Sequence, residues 1–264
     1  MCCLYDDVGD FHRRLAAFFA AGLRAGCRVA YVGLGGAEGS RADLAGLPDL
    51  DRRLADGSVR ILSLQDVYGD ARPVDPERVI DLYAAATEQA LADGFRGLRV
   101  GADGSELVRT PAHLDALARY EFLADRYMAG HPLSALCGYR LDLGHDTVTE
   151  LASLHVTCSS GGTGFTLFGC ADGAIGLGGQ FEPGSVTVLR RLLPRIRDGA
   201  DTGAFVIDMA DVEYVDHRLL RTLSAHAREQ GLALSLRSAP PFAARLMELL
   251  AASGLQHTGE GTDT

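Results

Sequence analysis

Apolar residues in the first half of the chain alternate between helical and strand-like spacing. From Asp10 to Gly26 they recur every three or four residues, and a short apolar run over 27–32 follows. This pattern predicts an amphipathic helix that leads into a buried strand. The same alternation continues with strands at 59–64, 97–102 and 134–139 and helices over 76–93 and 111–129. Helices that alternate with short strands predict a parallel sheet covered on both faces.

A small, polar stretch at 157–164 separates this half from one with a different pattern. Its glycines and serines are typical of a flexible linker, so we place a domain boundary there, with the first domain at 1–156. A second domain is predicted at 165–258, and the polar end at 259–264 is predicted to be disordered. The elements predicted for the second domain are a hairpin over 165–181, strands at 204–208 and 232–237, and helices over 184–198, after Asp216 and over 241–253.

The composition excludes several classes of function. The chain carries 25 basic and 35 acidic residues, a formal net charge of −10, and every basic residue is arginine. An acidic chain without a basic run cannot neutralise many phosphates, so we predict no direct binding of nucleic acid. The absence of lysine excludes a Schiff base and a lysine phosphate clamp. Because the apolar runs are too short to span a membrane, we predict a cytoplasmic protein that is not bound to a membrane.

Neither the cysteines nor the histidines form a recognisable metal motif. The six cysteines include no C-x-x-C pair, and no two histidines are four residues apart. We therefore predict reduced thiols, no metal and no cofactor. The hydrolase motif G-x-S-x-G is also absent, and we assign no catalytic residue.

Several motifs of the second half follow one another in a specific order. A hairpin precedes the strand Val206-Ile-Asp-Met209, the loop 212–216, a helix that begins at His217, and Ala239-Pro-Pro-Phe before the last helix. This order resembles a STAS domain, the module of bacterial anti-sigma factor antagonists. The resemblance implies a surface for an anti-sigma factor or a kinase-like regulatory protein at the start of that helix. The residues predicted to form it are Asp216, His217, Arg218 and Arg221.

The start of this helix also departs from the antagonist pattern. In such antagonists the helix begins with a serine or threonine that a partner kinase phosphorylates, whereas His217 and Arg218 stand here. We therefore predict that the usual phosphorylation switch is missing. Asp216 has a simpler alternative role, since an aspartate before a helix caps its backbone amides.

The first half carries a second set of motifs. They are Leu4-Tyr-Asp-Asp7, the segments 18–26 and 94–100, Tyr120-Glu121 and Leu136-Cys-Gly-Tyr139. Together they resemble the MEDS sensory domain, a family related in outline to the RecA/KaiC-like fold. The resemblance implies an α/β protein with a degenerate RecA/KaiC-like parallel-sheet domain followed by a smaller STAS-like α/β domain. The histidine that members often carry before the first motif has no counterpart in Met1–Cys3.

The loop before the first helix is unsuited to a triphosphate. A RecA-like protein would hold phosphates there with glycines and a lysine, whereas residues 5–10 carry three aspartates. The crevice at the carboxyl ends of the strands remains the expected ligand site. The residues predicted to line it are Tyr5, Asp6, Asp7, Asp103, Glu106, Tyr120, Glu121 and Tyr139. Carboxylates and tyrosine rings favour a small apolar or cationic ligand, unless the aspartates cap the first helix and the tyrosines pack between layers.

These observations predict a non-enzymatic signalling or transcription regulator, in which a small-molecule sensing domain is coupled to a protein-interaction domain. The alternative is an enzyme or nucleotide-binding protein that uses the first-domain crevice. The connecting segment 140–155 has too few apolar residues for a unit of its own. It therefore either docks on one or both domains or serves as a passive tether. The sequence leaves the formation of homo-oligomers open.

Overall fold

The computed structural model describes residues 1–35, 39–69, 73–158, 163–196 and 204–252. The described residues form a five-stranded sheet followed by a smaller four-stranded sheet, each with helices packed against it. We call residues 1–158 the first half and residues 163–252 the second half. This arrangement confirms the predicted α/β class with a larger parallel-sheet domain first; its relation to RecA and KaiC stays a prediction.

The first half is built on a parallel sheet. Its strands are β1 (Cys2–Tyr5), β2 (Arg28–Gly33), β3 (Val59–Ser63), β4 (Leu98–Asp103) and β5 (Leu133–Arg140). They lie in the order β1-β5-β4-β2-β3, and all four neighbouring pairs are parallel. The helices are α1 (Val8–Arg24), α2 (Leu50–Ala55), α3 (Leu64–Tyr68), α4 (Pro76–Ala92), α5 (Pro111–Met128) and α6 (His145–Ser153). The strand β1 and the helices α2, α3 and α6 add to the elements predicted from the sequence.

Side chains cap the starts of four of these helices, with Ser63 as the cap of α3. Asp7 accepts a hydrogen bond from the amide of Gly9, and Asp75 and Thr110 cap α4 and α5 in the same way. A cap of this kind stabilises a helix by about 1 kcal/mol. Asp7 therefore has the capping role that was the alternative to ligand binding.

Successive residues of β1 show that the sheet is covered on both faces. Cys2 packs in the core between the sheet and α4 and α5, whereas Cys3 packs in the core beneath α1. On the α1 side, Gly138 lets the sheet approach closely, because a Cβ atom there would lie 2.5 Å from the ring of Phe11. The close packing of α1 on the sheet therefore depends on the absence of a side chain at Gly138.

The second half is built on a mixed sheet. Its strands are β6 (Phe165–Gly169), β7 (Ile175–Phe181), β8 (Ala204–Val215) and β9 (Ala233–Arg237), in that order, and only β6 and β7 are antiparallel. The helices are α7 (Pro183–Leu192), α8 (His217–Glu229) and α9 (Pro241–Ala252). β8 extends past the predicted end at Asp208. The centre of the predicted linker, 159–162, and the predicted disordered tail, 259–264, lie outside the described residues.

Helix α5 has two buried faces that belong to different cores. Leu117 and Tyr120 pack in the core of the first half, whereas Ala118 and Phe122 pack in the core of the second half. Gly169 of β6 makes this contact close, because a Cβ atom at that position would lie 2.5 Å from the carbonyl oxygen of Phe122. The helix is therefore shared by both halves.

Helix α6 and the residue after it also contribute to both cores. Leu151 is buried in the core of the first half, and Leu154 is buried in the core of the second half. Beyond them, the carbonyl oxygen of Thr157 accepts a hydrogen bond from the amide of Cys2. Cys158 and Cys2 form a parallel β-bridge. The connecting segment is therefore docked on both halves, as one of the two expectations proposed.

In the described ranges, the longest apolar helices fall short of what is needed to cross a membrane.

Candidate functional site

Two of the predicted ligand-binding residues meet at the carboxyl edge of the first sheet. Tyr5 ends β1, Asp103 ends β4, and the Tyr5 hydroxyl donates a hydrogen bond of 2.5 Å to Asp103 Oδ2. Asp103 Oδ1 accepts the backbone amide of Ser105, and Ser105 Oγ accepts the amide of Arg140. Burial and the neighbouring Asp103 raise the pKa of Tyr5 above its ordinary value. The phenol therefore stays protonated and donates to the carboxylate.

Arginines lie beside the acidic residues of this edge. Glu106 forms ion pairs with Arg109 at 2.7 Å and with Arg140 at 3.6 Å. Asp10 pairs with Arg13 and Arg14 on the first turns of α1. These pairs offset part of the negative charge that a cationic ligand would need. Asp6 and Asp7 are exposed beside them, with Asp7 engaged as the cap of α1.

Three other predicted residues lie in the interior and not at this edge. Tyr120 is buried and meets the ring of Tyr68 edge to face at 5.7 Å. Tyr139, on β5, is buried and donates a hydrogen bond of 2.5 Å to Glu121 Oε1 on α5. The structure therefore brings the eight predicted residues together as two groups, an edge group and an interior group. The placement of Tyr120 between layers matches the alternative given for the tyrosines.

Cys137 and His155 complete the interior group, and neither was predicted as a site residue. Glu121 Oε2 lies 3.8 Å from Cys137 Sγ and 3.4 Å from His155 Nε2. His155 Nδ1 lies 2.8 Å from the carbonyl oxygen of Leu151. We call Glu121, Cys137 and His155 the buried cluster. Its donor atoms all lie within 4.8 Å of one another, which makes it a set of residues that could hold a metal ion.

The electrostatics of the buried cluster follow from its burial. Burial alone would raise the pKa of Glu121, but the charge of His155 and the hydroxyl of Tyr139 hold that pKa below its ordinary value. Burial would lower the pKa of His155, but Glu121 raises it well above. Burial raises the pKa of Asp125, one turn along α5, to about 7. Glu121 and His155 therefore stabilise each other's charged forms in the interior.

The predicted partner-binding residues lie at the start of α8. Asp216 caps the helix by accepting the amide of Arg218 at 2.7 Å, and the ring of His217 lies 3.2 Å from the same carboxylate. His217, Arg218 and Arg221 are exposed. Asp216 thus has its capping role, while the three basic residues face outward where another protein could contact them.

An apolar surface adjoins this helix start. Tyr214 is 51% exposed, Phe242 is 45% exposed, and both line a groove of about 440 Å³ with Val215. Exposed aromatic residues beside basic ones are typical of protein interfaces. This surface was not predicted from the sequence, because Tyr214 fits the pattern of a strand and Phe242 fits that of a helix.

Charged residues join the two halves beside the shared helix. Glu150 of α6 is buried and forms ion pairs with Arg191 of α7 and with Arg195. Arg195 also pairs with Asp115 of α5 at 2.6 Å. Removing one partner of a buried ion pair leaves an uncompensated charge, which costs several kcal/mol. The network therefore resists separation of the halves.

An open parallel sheet is joined through shared helices to a smaller mixed sheet, which defines an α/β protein built of two units. A model of the family described as MEthanogen/methylotroph, DcmR Sensory domain (MEDS) matches residues 1–156, and the chain belongs to this family. A model described as Mlab, STAS domain, matches residues 170–257. No curated protein and no solved structure matches the chain. A MEDS sensory domain followed by a STAS domain indicates a regulatory or signalling role.

Proposed function

We propose that the chain is a non-enzymatic regulator, in which the first half senses a small molecule and the second half binds an anti-sigma factor or a similar regulatory protein. The observation that carries this proposal is the sharing of α5 and α6 between the two cores. A sensor and an effector that share helices are coupled without an additional device, since a helix cannot move in one core and stay still in the other.

The sensing role is supported by the two groups of polar residues in the first half. The edge group lies where open α/β sheets bind ligands, at the carboxyl ends of the strands. Asp6 and Asp7 are exposed there and carry negative charge, which disfavours phosphates. The expected ligand is therefore small, and it is apolar or cationic.

The effector role is supported by the surface at the start of α8. His217, Arg218 and Arg221 are exposed on one helix, and Tyr214 and Phe242 lie nearby. A basic rim beside exposed aromatic residues suits a partner with an acidic face and a small apolar anchor. Mutating rim charges chiefly changes the association rate and its salt dependence.

The partner role can be tested by titration against purified anti-sigma factors of the source organism. Wild-type chain and the double variant Arg218→Glu, Arg221→Glu are compared at low and moderate salt. We expect micromolar or tighter binding by the wild type and at least tenfold weaker binding by the variant. Arg60→Glu, on exposed β3, is the control for a change of charge. Equal binding by all three chains would contradict the proposed surface.

The sensing role can be tested with a panel of ligands in a thermal-shift experiment on the full chain. Small apolar and cationic compounds are compared with ATP and GTP. We expect stabilisation by one of the former and none by the nucleotides. Nucleotide binding with turnover, measured by calorimetry and phosphate release, would instead establish the enzyme alternative.

A further inference from the structure

Three side chains that are good metal ligands meet in the interior of the first half. Glu121 comes from α5, Cys137 from β5, and His155 from the segment after α6, and each is buried. Zinc binds cysteine sulfur at about 2.3 Å and histidine nitrogen or carboxylate oxygen at about 2.0–2.2 Å, so tetrahedral ligands lie roughly 3.3–3.8 Å apart. The distances from Glu121 Oε2 are 3.4 Å to His155 Nε2 and 3.8 Å to Cys137 Sγ.

The histidine is held in the tautomer that a metal requires. Its Nδ1 lies 2.8 Å from the carbonyl oxygen of Leu151, which can only accept, so Nδ1 carries a proton. A metal that displaces the second proton from Nε2 meets a lone pair that faces Glu121 and Cys137. Within the described part of the chain, Nε2 is buried, and its ion-pair contact with Glu121 at 3.4 Å does not have the geometry of a hydrogen bond. Histidines that bind metals usually donate their other N–H to a carbonyl or a carboxylate in this way.

The carboxylate of Glu121 is oriented by a second residue. The Tyr139 hydroxyl donates to Oε1, which leaves Oε2 directed at the other two ligands. One turn further along α5, Asp125 Oδ2 is buried and makes no hydrogen bond to any described residue. A buried carboxylate oxygen without a hydrogen bond is costly unless a cation or a proton compensates it.

The charges of the cluster also match a divalent cation. A thiolate on Cys137 and a carboxylate on Glu121 neutralise a 2+ ion, with neutral His155 as the third ligand. Burial disfavours a net charge, so a balanced site is the form that the interior tolerates. A groove of about 640 Å³, lined in part by His155 and Cys158, lies beside the cluster.

We propose that Glu121, Cys137 and His155 bind Zn²⁺, with a fourth coordination position left for water. Three protein ligands with one open position are typical of zinc sites that exchange a small ligand. This inference does not rest on the proposed regulatory function. It departs from the prediction of no metal, because that prediction was based only on ligands close together in the chain.

Binding can be tested on the full chain after removal of metal with a chelator. Zn²⁺ is titrated against a competing indicator, and Co²⁺ is used as a spectroscopic probe. We expect one equivalent of Zn²⁺ per chain, and with Co²⁺ a near-ultraviolet thiolate charge-transfer band with visible d–d bands. Cys137→Ser should lose the charge-transfer band, and His155→Gln should lose the bound equivalent. Cys170→Ser, in the second half, is the matched control and should keep both.

A variant that keeps the fold separates ligation from general stability. Tyr139→Phe removes only the hydroxyl that orients Glu121, and loss of such an outer contact weakens metal binding about ten- to a hundredfold. Circular dichroism of each variant without metal checks that it folds.

Two outcomes would overturn the proposal. The first is that the wild type binds no more Zn²⁺ than Cys137→Ser. The second concerns Cys2, which neighbours Cys137 and Cys158 in the same interior region. If Cys2→Ser abolishes the thiolate band while Cys137→Ser keeps it, the ligand set assigned here is wrong.

Discussion

Replacement of Gly169 by alanine tests the contact between the two halves directly. Gly169 ends β6 and faces α5 of the first half. An added Cβ atom would lie 2.5 Å from the carbonyl oxygen of Phe122 and 2.9 Å from Cβ of Arg126. The first distance falls 0.9 Å short of the 3.4 Å at which ordinary contact begins. The atoms in the way belong to the backbone and the base of a side chain, so a rotamer change cannot relieve the overlap.

The expected destabilisation of Gly169→Ala follows from two opposing effects. Overpacking of a close interface costs about 1–3 kcal/mol, and rigid obstacles place this case at the upper end. Alanine also reduces the conformational entropy of the unfolded chain, which stabilises the folded state by about 0.4–1 kcal/mol. We therefore expect a net loss of about 2 kcal/mol in the free energy of unfolding.

Urea unfolding measures this loss, and hydrogen exchange shows where it acts. Amides of α5 and β6 should exchange faster in Gly169→Ala, whereas those of β2 should not. Gly130→Ala, in the turn after α5, is the control, because its Cβ would meet no described atom within 4 Å. The control should be as stable as the wild type or slightly more stable. If Gly169→Ala is also as stable as the wild type, with unchanged exchange on α5, the halves do not pack as described.

Three further variants test the cores and a surface ion pair, and a kinase experiment tests the missing phosphorylation switch. Leu151→Ala and Leu154→Ala should each cost about 2–5 kcal/mol and shift one common unfolding transition, and separate transitions would contradict a shared structure. Burial would raise the pKa of Asp208, but Arg237 and a backbone amide hold it below its ordinary value. Its stabilising contribution is therefore present above the unfolded-state pKa and lost as pH falls through the folded-state pKa. Asp208→Asn should accordingly be less stable than the wild type in urea at neutral pH, and the difference should shrink as pH falls through the folded-state pKa. Thr222 is buried, so intact mass should show no phosphate there after incubation with kinase and ATP.

Secondary structure was largely predictable because hydrophobic periodicity carries it. The helix α4, predicted over 76–93, ends at Ala92, and the hairpin of β6 and β7 matches its predicted range closely. The strand β1 was not predicted, because four residues are too few to show an alternation and they stand directly before a loop. Its place in the sheet depends on β5, more than a hundred residues later.

The candidate sites were harder to predict, because a motif identifies residues but does not show where their side chains point. Tyr5 and Asp103 were predicted to line the crevice at the carboxyl ends of the strands, and a hydrogen bond joins their side chains at that edge. Glu121 and Tyr139 were placed in the same crevice, yet their side chains meet in the interior. Which face of a strand or helix points to the crevice depends on packing between layers, and a single sequence does not contain that information.

The shared helix was equally hidden in the sequence. The apolar residues of α5 predict a helix with a buried face, but they do not say which core each of them enters. Phe122 and Leu123 pack with the second half, whereas Tyr120 and Ala124 pack with the first. The contact is made by Gly169, whose only contribution is the absence of a side chain. Such complementarity appears only when both halves are folded.

The two groups of polar residues differ in how directly they can influence the second half. The edge pair of Tyr5 and Asp103 is connected through Ser105 to the end of β5. In contrast, Glu121 of the buried cluster directly precedes Phe122, which is fixed in the second core. Occupation of the cluster would therefore bear on a helix that both cores hold. Because packed cores favour discrete arrangements over gradual deformation, a change in the interior has the shorter physical path to the effector surface.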